Sequence, residues 1–307
     1  MGTTHVVKVG GPISPFRARA TIISRRMWDI GIQVFHNRTA MTGLIILVFF
    51  TVLAVAAPWI APYGPLRAVT DALPLSPPDP HHPFGTNQFD YDIYSQVIWG
   101  TQISLIVGVL SAMVASVIGT AVGLVSGFIG GWVDEVIMRF NDVVLSIPWL
   151  ILMIVVAARL NYLDLVGIIL VIGLTGWSVT ARVVRSQVLS LKERMFVERG
   201  RMIGSSNMHI LLRHIFPNAF PLIFANTILT VAISILSESV LAFLNLSVKN
   251  NVSWGRIIAE AYQHDALTIG MTEWIIVPGL CIVFLVFGFY LFGYALDEIL
   301  NPRLRRR

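Results

Sequence analysis

Charge is scarce in this sequence, and cysteine is nearly absent. Only 13% of the 307 residues are Asp, Glu, Lys or Arg, about half the share found in soluble domains. With 55% hydrophobic residues and a mean hydropathy of +0.75, the chain is excluded from the water-soluble globules. The same hydrophobicity excludes intrinsic disorder. The lone cysteine, Cys281, excludes an internal disulfide and a Cys-paired metal site. Enzyme signatures are missing too. There is no Gly-x-x-x-x-Gly-Lys loop to cradle nucleotide phosphates, no His-Glu-x-x-His pair for zinc, and no Gly-x-Ser-x-Gly elbow to present a serine. His81 and His82 could ligate a metal, but two adjacent histidines in a Pro-rich stretch make a thin ligand set.

What is abundant is long apolar runs, each near the roughly 20 residues that carry a helix across a bilayer. The first is Ala40–Ala61, the second about Gln102–Phe128, and the third about Val133–Ala158 with Asp134, Glu135, Arg139 and Asp142 near its start. The fourth is about Leu165–Leu189 and carries Arg182 and Arg185 near its end. Uncharged stretches between Arg213 and Glu238, and between Glu273 and Asp297, supply the fifth and sixth. The expected fold is therefore all-α, with six transmembrane helices. The first run begins too deep in the chain and is too long for a cleaved signal peptide, so it reads as an anchor.

Lys and Arg set the orientation. Seventeen lie before the first span, from the end of the fourth to the start of the fifth, or after the sixth; the opposite side holds four, Arg67, Arg159, Lys249 and Arg256. Both termini are expected in the cytoplasm, and the net charge of +5 fits basic loops against anionic lipid better than nucleic acid. The chain divides into an N-terminal segment 1–39, the first span 40–61, a Pro-rich extracytoplasmic loop 62–101, a core 102–297 and a basic tail 298–307. Trp28, Ile32 and Phe35 fall at helical spacing among Arg25, Arg26 and Arg38, which reads as a helix along the inner membrane surface or as a flexible arm.

The stretch 190–217 is the largest cytoplasmic connection. Within it, Met195–Pro217 predicts one helix ending at Gly204 and a second capped by Ser205 or Ser206. The second has an apolar stripe of Met208, Leu211, Leu212 and Ile215, and Pro217 is expected to stop it. A hairpin that projects such a stripe from the membrane needs a partner surface.

These residues resemble the EAA loop of ABC-transporter permeases: Glu-Ala-Ala, three residues, Gly, and a Pro thirteen residues beyond. Glu198, Gly204 and Pro217 hold those positions, with Arg199 and Gly200 in place of the alanines. Further segments are similar to C-type permeases of the oligopeptide/dipeptide group. They include His82-Pro83-Phe84-Gly85-Thr86, Trp132-Val133-Asp134-Glu135, Ala181-Arg182 with Val184-Arg185, Ser253-Trp254-Gly255, Pro278-Gly279 and Asn301-Pro302-Arg303-Leu304. Asp90-Tyr91-Asp92, Gln96 and Leu244-Asn245-Leu246-Ser247 depart from the group's pattern. The resemblance implies a type I ABC importer permease core, most often for di- or oligopeptides, with oligosaccharide, nickel or glutathione as other cargo. It also implies a homologous second permease, two ABC ATPase subunits and an extracytoplasmic solute-binding protein in a prokaryotic inner membrane. ATP and magnesium would sit on the ATPases, with no cofactor or catalysis on this chain. A stand-alone secondary transporter or channel is the rival from another class, and predicts inverted repeats with broken helices; no broken helix is legible here.

On that reading Glu198, Arg201, Gly204, Ser205, Ser206, Met208, Leu211 and Pro217 couple to the ATPases. Arg139, Asp142, Arg182 and Glu238 are polar groups at membrane depth, where unpaired charge is costly. Asp142 and Arg182 are expected to pair, as a clamp or as part of the pathway; Glu238 faces the pathway or a neighbouring helix. Ala115, Gly119, Gly123 and Gly127 recur every four residues, as close helix packing or a pathway lining requires.

Overall fold

The computed structural model describes residues 28, 30–160, 164–246 and 251–300. Most of the N-terminal segment, Lys249 and the tail beyond 300 lie outside the described residues. Helices dominate because a backbone in lipid satisfies its N–H and C=O groups only within its own helix or a closed barrel. No strand occurs among the described residues, only the isolated bridges Ala68–Tyr91 and Thr86–Asp92.

Helix α1 spans Arg38–Ile60, capped where the Asn37 side chain accepts from the Ala40 N–H at 3.0 Å. Ahead of it residues 30–36 are helical. Val34 there packs with Ala40, Ile228, Ala295 and Leu296, while Trp28, Ile32 and Phe35 are exposed. Helix α2 spans Ile93–Ile129, its 37 residues reaching about 55 Å at 1.5 Å each. It starts earlier than the expected Gln102. The Asp92 carboxylate caps it by accepting from the Ser95 N–H at 2.8 Å, and its first polar turns lie against the Pro-rich segment. There Gln96 donates to the Pro65 carbonyl at 3.2 Å and Trp99 to that of Tyr63 at 3.0 Å.

The third span is not the single helix expected. It is broken into α3, Gly131–Ser146, and α4, Trp149–Arg159, which meet at 86°. Pro148 between them has no N–H and biases the residue before it away from helix; Ile147 is accordingly extended, at φ −84° and ψ 125°. Helix α5 spans Leu165–Lys192 and is capped by Asp164, which accepts from the Gly167 N–H at 2.7 Å. After it come α6, Met195–Met202, α7, Asn207–Phe243, α8, Trp254–Gln263, and α9, Glu273–Leu300. Among the described residues five helices are long and apolar enough to cross a membrane, and the bent pair makes a sixth crossing if it spans as one.

The centre is α2 laid against α5, with α7 on α2 and α9 joining α1 to α7. A β-carbon added to Gly119 would lie 2.6 Å from Thr180 Cβ, and one on Gly123 2.6 Å from the Ala181 carbonyl. Hydrogen is the only side chain that permits this approach of α2 to α5. On the Pro-rich side Trp254, Trp274 and Ile235 form a buried core, and the Trp254 indole donates to the Val97 carbonyl at 2.9 Å. On the opposite, basic side Val184, Val188, Val197, Ile210 and Ile215 bind α6 and the root of α7 to α5.

Candidate functional site: a projecting hairpin and a cavity at a helix break

The hairpin is built by local chemistry. Gly204 takes φ +75°, a left-handed conformation that costs a side-chain-bearing residue about 1–2 kcal/mol. The Gly204 N–H then donates to Arg201 and the Ser205 N–H to Gly200, both at 3.0 Å, the paired bonds of a Schellman ending. Two residues on, the Ser206 hydroxyl accepts from the His209 N–H at 3.3 Å and starts α7. Pro217 does not stop this helix, contrary to expectation. The backbone widens over Leu211–Ile215, where the Phe216 N–H reaches the carbonyl of Leu211 five residues back. That wider turn accommodates the ring of Pro217, which would otherwise clash with the preceding turn. The hairpin therefore runs unbroken into the span.

The apolar stripe also divides differently. Ile215 is fully buried and Leu211 packs on the core, whereas Met208 and Leu212 face outward. Beside them stand Met202 and Ile203, 77% and 82% exposed, and Met195. Glu198, Arg201 and Gly204 are exposed too, and Ser205 is half-buried. Met195, Met202 and Ile203 were missed because they precede the turn, where helical periodicity counted from α7 does not reach.

Two ion pairs join α3 to α5. Arg182 Nη2 donates to Asp142 Oδ1 at 2.6 Å, with both side chains more than half exposed. The pair not foreseen is more enclosed: Arg185 reaches Asp134 through Nε at 2.6 Å and Nη2 at 2.5 Å, and the Ser126 hydroxyl donates to the same carboxylate. Arg139 stands apart, exposed, 3.7 Å from Glu135 on its own helix. Glu238 is fully buried, with the Ser253 hydroxyl beside it. His82 is buried as well, its Nδ1 3.0 Å from Asp92 Oδ1.

A cavity of about 550 Å³ opens where α3 breaks into α4. Ile147, Pro148 and Trp149 wall one side; Thr175, Ser178 and Thr180 of α5, Asn226, Thr230 and Ser234 of α7, and Tyr290 of α9 wall the others. Among the described residues no Asp, Glu, Lys, Arg or His lines it, and Glu238 lies outside it. Of the four small residues on α2, Ala115 touches the cavity, while Gly119, Gly123 and Gly127 are pressed against α5.

Comparison with known proteins decides what this arrangement belongs to. The pattern of the binding-protein-dependent transport system inner membrane component family matches residues 119–306. The chain belongs to that family of ABC importer permeases. Residues 25–78 match the N-terminal transmembrane domain of oligopeptide transport permease C. The chain is 34% identical to the dipeptide transport system permease protein DppC of Bacillus subtilis, over 88% of this chain and 83% of that one. It is equally identical to the oligopeptide transport system permease protein OppC of the same organism, over 92% of each. The glutathione transport system permease protein GsiD of Escherichia coli matches at 34% over 88% of each. This permease is thus a multi-pass inner-membrane protein, and the hairpin carrying Glu198, Gly204 and Pro217 lies within the segment that defines its family.

Proposed function

We propose that this permease forms half of the translocation pathway of an ATP-driven importer for di- or oligopeptides and does no chemistry itself. Its partners on this reading are a homologous second permease, two ABC ATPases that carry ATP and magnesium, and an extracytoplasmic binding protein. The observation that carries the proposal is the hairpin. It projects Met202, Ile203, Met208 and Leu212 outward around a rigid Gly204 turn, while Ile210 and Ile215 anchor it to α5. Exposed Met and Ile flanked by Glu198 and Arg201 make a knob for a groove on another protein. The basic side faces the cytoplasm, with both chain termini, and the Pro-rich side faces the binding protein.

Closure of the ATPases on ATP would move the hairpin as one body, because α7 continues through it without a hinge. Spans α2 to α7 would tilt with it and expose the cavity to alternate sides, one two-state change biased from two sites. The names of DppC and OppC support peptide cargo and that of GsiD supports glutathione, itself a small peptide. The broken helix α3–α4 is a feature of stand-alone secondary transporters as well. Those transporters carry it in each inverted half, whereas one bent pair occurs among the described residues here.

The test is purification of the tagged permease together with its neighbouring subunits, followed by reconstitution into proteoliposomes. ATPase subunits are expected to come with it, and dipeptide uptake is expected to require internal or external ATP on the hairpin side. Uptake by the permease alone, without ATP, would overturn the proposal.

A further inference from the structure

We propose that the break between α3 and α4 is a hydrogen-bonding station on the translocation path, one that takes a carboxylate or carbonyl group of the passing solute; this rests on the importer reading above. Irregular backbone at membrane depth is tolerated only where it is buried in protein or lines a polar cavity. The break lines such a cavity beside Ser178, which stands midway along Leu165–Lys192. The walls also carry outward-facing Val179, Ile233 and Tyr290, where, on the importer reading, the second permease closes the chamber.

The donors at this place are uncommitted. Helix α4 opens on Pro148 with no side-chain cap, and its 11 residues leave first-turn N–H groups and the positive end of the helix dipole facing the break. Among the described residues the buried Trp149 indole N–H meets no partner. The Ser178 hydroxyl, 2% exposed, has none either. Three other hydroxyls on the lining are engaged: Thr175 donates to Val171 at 2.8 Å, Thr230 donates to Asn226 at 2.8 Å, and Thr180 accepts from Asn226 at 3.0 Å. Buried donors without partners are rare and call for an explanation. A solute acceptor supplies one. Neutral donors, with no Lys or Arg on the lining, hold an acceptor weakly enough to release it, as a transit site must.

The experiment uses the full complex of this permease with its second permease, ATPases and binding protein in proteoliposomes. The probes are radiolabelled Ala-Ala and its C-terminal amide. Trp149→Phe removes the indole donor and keeps an aromatic ring; Ser178→Ala removes one oxygen. Each is expected to lower ATP-driven Ala-Ala uptake by roughly three- to tenfold, the scale of one neutral hydrogen bond, with assembly and thermal stability retained. If the station grips the terminal carboxylate, the amide probe is spared by the variants; if it grips a carbonyl, both probes fall together. Wild-type uptake with both variants unaltered would overturn the station alone. A wild-type complex importing neither probe would overturn the peptide reading, and the station with it. Ser178→Ala removes almost no packing, so the test stands should Trp149→Phe fail to assemble.

Discussion

Arg185 holds Asp134 in a forked grip, its Nε and Nη2 at 2.6 and 2.5 Å from the two carboxylate oxygens. Because Ser126 of α2 donates to the same carboxylate, one acid ties the end of α2, the start of α3 and the basic half of α5 together. The neighbouring pair, Arg182–Asp142, is joined by a contact of 2.6 Å from a single guanidinium nitrogen and is more than half exposed. Forked, partly enclosed pairs are the strong ones, and exposed single contacts contribute little.

Asp134→Asn is therefore expected to lower the stability of the purified complex by about 1–3 kcal/mol, the loss of a charge-assisted bond that leaves its partner enclosed. Asp142→Asn is expected to cost about 0–1 kcal/mol. Denaturation of the two variants in the same detergent, followed by tryptophan fluorescence, checks the ranking. An equal loss for both would show that a second subunit covers Asp142.

The interface of α2 with α5 makes a steric prediction. A methyl on Gly119 would meet Thr180 Cβ and the Trp177 carbonyl, both at 2.6 Å, and one on Gly123 the Ala181 carbonyl at 2.6 Å. Backbone cannot yield as a flexible side chain can. Gly119→Ala and Gly123→Ala are each expected to destabilise by about 1–3 kcal/mol through overpacking, read as a lower yield of monodisperse protein and a lower melting temperature. Ala115 already carries its methyl, and Ala115→Gly is expected to leave the assembly folded.

Asp79 gives a pH dependence outside the spans. Its Oδ1 accepts from the N–H groups of His82 and His81, at 2.6 and 2.7 Å, and the His82 bond foremost holds its pKa below the ordinary 3.8. A carboxyl depressed by folding contributes its stability above its unfolded value, and loses it as pH falls through the folded one. The turn at His81 and His82 is thus expected to hold at neutral pH and to loosen below about pH 4. Amide exchange across the Pro-rich segment, corrected for intrinsic rates, should rise in acid, and Asp79→Ala should show the faster exchange already at neutral pH.

Hydropathy made the spans legible, because a bilayer demands about 20 apolar residues whatever the packing. It was blind to direction. Pro148 and Pro217 look alike in the sequence, yet one breaks its span by 86° and the other is absorbed by a widened turn over Leu211–Ile215. What differs is the neighbourhood: Ile215 and Ala219 are fully buried and hold α7 straight, while Ile147 and Pro148 face a cavity. Depth alone brought Asp142 and Arg182 to the same level. It could not bring Arg185 to Asp134, since that pair depends on how α3 and α5 are rotated about their axes. The Gly204 turn was readable because its cause is local. The outward face of the hairpin was not, because burial of Ile210 and Ile215 against Val188 and Val197 decides which apolar residues remain outside.

Two glycines four residues apart would be treated alike by composition, and the hairpin separates them. Gly200 lies inside α6 and is buried; a β-carbon there would sit 3.5 Å from Ile210 Cγ1, an ordinary contact. Gly200→Ala is expected to hold or raise stability, by up to about 1 kcal/mol, since alanine is the better helix former and space exists for it. Gly204 has open space around it but φ +75°, so the obstacle is backbone rather than room. Gly204→Val forces a β-branched residue into the left-handed region, at about 1–2 kcal/mol or more, and is expected to unwind the Schellman bonds at Gly204 and Ser205. The spans do not depend on that turn. Membrane insertion should therefore survive, while co-purification of the ATPases and ATP-driven uptake fall together. Asparagine, which tolerates φ > 0 better than valine does, should recover part of both. If Gly204→Val kept full uptake, the rigid turn would have no part in coupling, and the exposed Met202, Ile203, Met208 and Leu212 would need another occupant.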